Sequence, residues 1–246
     1  MQATWFSRQG RERTRNSDAA AVGQQDERIL AVLVDGAEKG PRGAELARHW
    51  ANVVFQALAE ASGCSTPAAV HSRLQMEQSQ LRHHFLLDIA SYCMVSLGLE
   101  TLSAQVWHCG DCRVGIRHQI ETRWLTTPHL LAQQPGIPPT RTSEERGRHD
   151  QQLTRCLNAK RFKAPDYQVL TLQRGQALLL STDGYWLEHL EAKTPPHCLR
   201  DDASLLTLPI GFGSLDHIEQ NSDADNLLLP SIKGRIHPPA HTPLPG

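Results

Sequence analysis

The chain is 246 residues long, 39% hydrophobic and 21% charged, with 25 Lys and Arg against 26 Asp and Glu and a formal net charge of −1. Such a chain can bury a sizeable core as one domain, and its nearly cancelling charge excludes a global field for nucleic acid or an anionic membrane, so phosphate recognition has to be local. No apolar run nears the roughly 20 residues of a membrane span, and no basic segment precedes an apolar stretch with a cleavage site, so the expectation is a cytoplasmic protein with no membrane span and no nucleic-acid partner.

In chain order, the first 28 residues are polar and arginine-rich, with Arg8, Arg11, Arg13 and Arg15 ahead of Asn16-Ser17-Asp18. They read as a solvated face or a frayed terminus, in which one arginine could bind an anion. Residues 29–34 are apolar throughout and read as a strand buried on both faces that delivers Asp35-Gly36 at its tip. After the loop Gly40-Pro41-Arg42-Gly43, a helix is expected over 44–62, because Leu46, Trp50, Val53, Val54, Ala57, Leu58 and Ala61 recur at steps of three and four and Gly63 stops it. A second helix is expected from the cap Thr66 and Pro67 to about His84, with Val70, Leu74 and Leu81 inside.

The pattern then turns to strands over 90–97, 102–109 and 113–118 with a short run near Trp124, spaced as an antiparallel meander. Residues 127–150 read as a proline-punctuated loop, 151–158 as a short helix, 167–172 as a strand, and 177–182 as a second apolar strand ending in Asp183-Gly184. Residues 184–191 can be helical, Pro195-Pro196 breaks the chain, and Asp201-Asp202 opens a last strand over 203–210. The domain is therefore drawn as 1–212, with 213–246 a Pro- and Asp-rich tail, disordered or extended. Grouped strands with few helices between them favour an α+β sandwich over a doubly wound parallel sheet.

Six cysteines are scattered through the chain and read as reduced and mostly buried. Cys109-x-x-Cys112 has knuckle or redox spacing, but no second Cys/His pair stands at finger spacing and no helix start follows Cys109. Two apolar strands that each deliver Asp-Gly suggest instead carboxylates converging on hard cations such as Mg²⁺ or Mn²⁺. Singly, an Asp-Gly turn is ordinary strand-end chemistry.

The order of the acidic turns, from about Gly10 to Leu208, resembles the metal-dependent protein phosphatase family (PPM, protein phosphatase 2C type). The family's Arg-x-x-Asn-Glu-Asp start is similar to Arg13-Thr14-Arg15-Asn16-Ser17-Asp18, and its Asp-Gly-Met-Gly-Gly turn with a following Gly-Glu-x-Ala to Asp35-Gly36-Ala37-Glu38-Lys39 and Gly43-Ala44-Glu45-Leu46-Ala47. Gly110-Asp111-Cys112-Arg113, Leu125-Thr126-Thr127-Pro128-His129, Thr182-Asp183-Gly184 and Asp201-Asp202-Ala203-Ser204 match its later motifs in order.

The resemblance implies a four-layer α/β/β/α sandwich, two antiparallel sheets flanked by helices, with the helical layer between Asp183 and Asp201 trimmed. It implies two Mn²⁺ or Mg²⁺ ions and a weaker third position. Asp35 would bridge the pair, the Gly36 carbonyl would bind one ion, Asp183 and Asp201 would hold the other, and Asp111 would lie by the third. Asp18 would orient water, and Arg13 would grip the substrate phosphate. The implied activity is hydrolysis of phosphoserine and phosphothreonine in proteins, the products of a Ser/Thr kinase, by water activated between the cations. A cysteine-based phosphatase would want a Cys-x5-Arg loop, which Cys112-Arg113 does not supply.

Departures from the family pattern keep a second hypothesis in play, a degenerate phosphatase-like binding or regulatory module without turnover. Ser17 stands for a glutamate, Ala37-Glu38-Lys39 for Met-Gly-Gly, Ala90-Ser91-Tyr92 for Gly-Thr-Thr, and Leu187 for an aspartate that many members keep. A third hypothesis is an unrelated α+β protein with turn aspartates alone.

Overall fold

A computed structural model describes residues 1–60, 66–134 and 152–230 of the chain. The end of the first expected helix, Cys64, the loop 135–150 and the last part of the expected tail lie outside the described residues.

The polar first stretch is not frayed. It forms two strands, β1 (Gln2–Arg8) and β2 (Asp18–Gln25), which flank the loop of arginines. In β1 every second side chain, Ala3, Trp5 and Ser7, is buried, whereas β2 is built from Ala19, Ala20, Ala21 and Val22, buried on both faces. Alanine is a weak strand former, so β2 owes its conformation to the strands and helix that enclose it and not to local preference.

Next comes β3 (Arg28–Gly36), and its two-residue period explains its uninterrupted apolar run. Ile29, Ala31 and Leu33 point into the layer between two sheets, while Leu30, Val32 and Val34 point toward α1 (Gly43–Glu60). Trp50 and Leu46 of α1 are fully buried against that sheet. Helix α2 (Pro67–Gln80) packs on α1 and begins as expected, with Thr66 Oγ1 accepting the Ala69 N–H at 3.3 Å.

The remaining elements are β4 (Ile89–Gly98), β5 (Ser103–Cys109), β6 (Arg113–His118), β7 (Glu121–Trp124), β8 (Leu157–Asn158), β9 (Asp166–Thr171), β10 (Gln176–Ser181), a helix Gly184–Glu191, β11 (Ala203–Pro209), β12 (His217–Ser222) and β13 (Leu227–Leu228). One sheet has the order β12-β1-β11-β10-β6-β7, the other β13-β2-β3-β4-β5-β9 with β8 on β4. Trp5, Leu33, Val95, Val114, Leu180 and Leu206 fill the space between them.

Several expectations change. The meander is split: β4 and β5 pair in one sheet, and the chain crosses at Gly110-Asp111-Cys112 so that β6 pairs with β10 in the other. The short helix at 151–158 is absent from its described part, where Leu157 enters the core and β8 pairs with β4. The sheets are mixed and not purely antiparallel, because β12 runs parallel to β1 and β13 parallel to β2. Residues 217–228, drawn as tail, thus add an edge strand to each sheet. Both α-helices lie on one sheet, and the fourth layer shrinks to Gly184–Glu191, whose Tyr185 meets the outward ring of Phe6 edge-on at 5.5 Å. That helix is wound wide, with Ala192 N–H donating to Leu187 O five residues back at 2.9 Å. Among the described residues no helix is long and apolar enough to cross a membrane.

Candidate metal centre

Strand register brings the acidic turns to one end of the sandwich. Asp18 opens β2 opposite Asp35 of β3, and Asp35 pairs in turn with Ser91 of β4. Cys109, next to Ser91 in the ladder through Tyr92, ends β5 just before Asp111. In the other sheet Ser181 pairs with both Arg113 and Leu205, so Asp111, Asp183 and Asp201 all lie just past strand ends on the same edge. Thr182 ties the two sheets together by donating its hydroxyl to Asp18 Oδ2 at 3.1 Å and accepting the Ser204 N–H at 2.9 Å.

The crossing after β5 needs glycine. Gly110 has φ +103°, and a Cβ there would stand 2.1 Å from Ser91 Oγ. That close approach lets the Asp111 N–H donate to Ser91 Oγ at 3.2 Å, and Trp186 Nε1–H fixes the Asp111 carbonyl at 3.0 Å. At the other side Gly36 and the helix start Gly43 touch, since a Cβ on Gly36 would be 2.3 Å from Gly43 O. The N-terminus of α1 is therefore pressed onto the turn that follows Asp35.

The carboxylates gathered here are poorly satisfied. Among the described residues Asp18 Oδ1, Asp111 Oδ1 and Asp183 Oδ1 are buried without a hydrogen-bond partner. Burial pushes the carboxyls of Asp18, Asp35 and Asp183 well above their ordinary range, and their acidic neighbours push them further: Asp202 and Asp201 act on Asp18, Asp18 and Asp111 on Asp35, Asp111 and Asp35 on Asp183. Asp111 is raised as well, first by burial. Several enclosed carboxylates cannot all ionise beside one another without compensation, and a hard divalent cation with oxygen ligands supplies it. The donor set is all oxygen, which suits Mg²⁺ or Mn²⁺ and not zinc. The carboxylates of Asp18, Asp35, Asp111 and Asp183 therefore fit a hard divalent cation, whereas both oxygens of Asp201 are held by Arg13.

Two residues behave differently from the rest. The Arg13 guanidinium does not stand free: Nε donates to Asp201 Oδ1 at 2.6 Å, Nη2 lies 2.5 Å from Asp201 Oδ2, and Nη1 lies 2.7 Å from Glu38 Oε2. The hydrogen bond that Arg13 donates to Asp201 raises its pKa further, so its charge is permanent. Asp202, which the sequence marked only as the start of a strand, accepts the Gly10 N–H on Oδ1 at 2.9 Å and the Ser17 N–H on Oδ2 at 2.7 Å. One carboxylate thereby closes both ends of the loop that carries Arg13. Burial pushes Asp202 up to about 6 despite those two bonds. Thr182 and Asp202 both stand inside the motifs that resemble the family's, but the sequence assigned neither of them a role.

Among the described residues the cysteines nearest the centre offer no rival chemistry. Cys93, Cys109 and Cys112 are buried and free, and burial pushes the Cys109 thiol up to about 12, so it stays protonated. A second cluster, His108, His129 and Asp166, brings its potential ligand atoms within 4.8 Å of one another. Its protons are already placed. His129 Nδ1 accepts the Gly110 N–H at 3.0 Å, so the neutral ring carries its hydrogen on Nε2 and donates it to Asp166 at 3.1 Å. His108 Nε2 faces Thr127 O at 3.0 Å, its ring is stacked on His129, and burial lowers it to about 4. Arg155 adds a cation on Asp166. The cluster acts as a brace that holds Gly110, and through it Asp111, in place.

No family model matches the chain, and no curated protein matches it in sequence. Solved structures do match its fold. It is similar to a bacterial serine phosphatase (16% identity, TM-score 0.66, covering 86% of this chain and 98% of that one). It is similar also to a serine/threonine phosphatase of S. agalactiae (17%, TM-score 0.66, 85% and 98%). A third likeness is to the catalytic domain of the serine/threonine protein phosphatase PstP in complex with two manganese ions (18%, TM-score 0.57, 85% and 98%). At these identities the likeness establishes the fold, a sheet sandwich of the kind these phosphatases share.

Proposed function

We propose that this chain, which has the fold of those phosphatases, is a metal-dependent phosphomonoester hydrolase of the PPM kind acting on phosphoserine and phosphothreonine in proteins. The reading puts it in the cytoplasm, opposite a Ser/Thr kinase. The observation that carries it is the set of buried carboxylates, three with orphaned oxygens, at one end of such a sandwich.

Asp35, Asp183, Asp201 and the Gly36 carbonyl would hold two Mn²⁺ or Mg²⁺ ions, and Asp111 would hold a weaker third. Bound there, such ions neutralise phosphate oxygens and acidify water at neutral pH. The remaining work falls to the chain itself. Asp18, fixed by the Thr182 hydroxyl, keeps a bare Oδ1 that can orient a water molecule or take its proton. Arg13, on a loop closed by Asp202, presents a planar fork suited to a phosphate. The buried thiols of Cys109 and Cys112 stay protonated and take no part.

The occupied fork of Arg13 favours one other reading, a module that binds metal and phosphoprotein without turnover. Hydrolysis of 4-nitrophenyl phosphate that needs Mn²⁺, stops with chelator, and falls at least about a hundred-fold in Asp35→Asn and Asp183→Asn supports the enzyme. Metal binding by calorimetry without turnover supports the module. No metal binding removes both.

A further inference from the structure

The loop after Asp35 carries an acid in the one place where a phosphate needs a cation. Arg13 is engaged on three donors by two carboxylates, Asp201 and Glu38, so one positive charge is shared between two negative ones. The Glu38 side chain is 41% exposed and the Arg13 side chain 25%, which puts this contact at the mouth of the centre and not in its floor. Asp201 is grasped side-on by Nε and Nη2, and Glu38, the more exposed of the two carboxylates, lies on Nη1.

A phosphomonoester dianion that binds the outer edge of Arg13 therefore arrives beside the Glu38 carboxylate, whether it takes the second N–H of Nη1 or displaces Glu38 from the first. The two anions repel, and a cation that arrives with the phosphate relieves that repulsion. A small aryl phosphate brings none. A peptide with Lys or Arg beside its phosphorylated residue brings one, and the exchange leaves every charge paired: phosphate on Arg13, the peptide's cation on Glu38.

We propose that Glu38 is a specificity-determining residue that selects phosphopeptides with a basic residue adjacent to the phosphoserine or phosphothreonine. The inference rests on the phosphatase reading for the phosphate, but it concerns recognition and not turnover.

The test uses the Mn²⁺-loaded full chain and two phosphoserine peptides that differ only in an Arg or an Ala next to the phosphoserine, together with non-hydrolysable phosphonate versions of both, read by fluorescence anisotropy. The native chain should bind the Arg phosphonate about three- to five-fold more tightly, the ordinary reach of an exposed ion pair, and lose that preference at high salt. Glu38→Gln should bring the two peptides level by improving the Ala peptide, lowering its KM with kcat unchanged. Because Glu38 is on an exposed loop, the variant should melt with the native protein. A preference that survives in Glu38→Gln, or equal binding of both peptides by the native chain, overturns the proposal. Binding with the predicted preference but no hydrolysis upholds it while removing the enzyme reading, and no binding of either phosphonate overturns both.

Discussion

Thr182 joins the two sheets at the centre through a single hydroxyl. It donates to Asp18 and accepts from the Ser204 backbone, so replacing it by the isosteric valine leaves a buried carboxylate and a buried N–H unpaired at once. Thr182→Val should cost about 2–4 kcal/mol by urea denaturation, and Thr182→Ser should recover most of it. Protons act at the same scale and in two directions. His108 has its folded pKa lowered to about 4, so it contributes stability that is fully present above the ordinary 6.5 and lost as pH falls through 4. The carboxyls of Asp18, Asp35 and Asp183 have theirs raised, so their contribution is present below 3.8 and lost as pH rises through the folded values. Above about pH 7 the histidine contribution is complete, and the carboxyls, joined toward about pH 9 by the buried thiols of Cys109 and Cys112, change in one direction. The chelated protein should therefore melt at progressively lower temperature from about pH 7 to about pH 9, and saturating Mn²⁺ should flatten the trend. A flat profile in chelator would remove the enclosed-carboxylate picture. Asp35 and Asp183 were legible in the sequence because each ends an apolar strand and is followed by glycine. Thr182, Asp202 and Glu38 were not, because their partners are distant in sequence and a chain read linearly does not show which donor meets which acceptor.

The strands divide by how much of their conformation is written locally. In β3 the apolar run, its length and its acidic tip all agree, and Leu33 and Val34 alternate between two cores as the strand period demands. The alanines of β2 and the polar alternation of β1 carry little strand preference, and only the enclosing layers select it. The crossing between β5 and β6 is sensitive to a single added atom. Gly110→Ala places a methyl group against Ser91 at a backbone angle that L-residues avoid, and the turn must move with Asp111 on it. The expected result is a loss of about 1–3 kcal/mol in stability and weaker binding of the most loosely held Mn²⁺ by calorimetry, with binding at the tighter positions preserved. Equal weakening at every position would mean that the whole edge of the sandwich had shifted.

At the scale of the molecule, the two sheets are closed by residues far along the chain. Asn226 accepts the Trp5 indole N–H at 3.1 Å, and its amide donates to Ser7 Oγ at 2.8 Å and to the carbonyl of Asp18 at 3.1 Å. Its own carbonyl accepts the Ala20 N–H at 2.9 Å. Removing residues 213–246 should uncover the edges of β1 and β2, lower the melting temperature by several degrees and weaken Mn²⁺ binding, and Asn226→Ala in the full chain should reproduce part of the loss. Circular dichroism melts of the two variants against the native chain, with Mn²⁺ titrated by calorimetry, read both losses. The same bonds also set a timetable for biosynthesis. The strand that opens with Asp18 leaves the ribosome early, yet the amide that seats its backbone is translated some two hundred residues later. Until then the first-made part of the centre waits, half-built, for the last-made part to arrive, and a nascent chain stalled short of that asparagine should be a ready substrate for proteases.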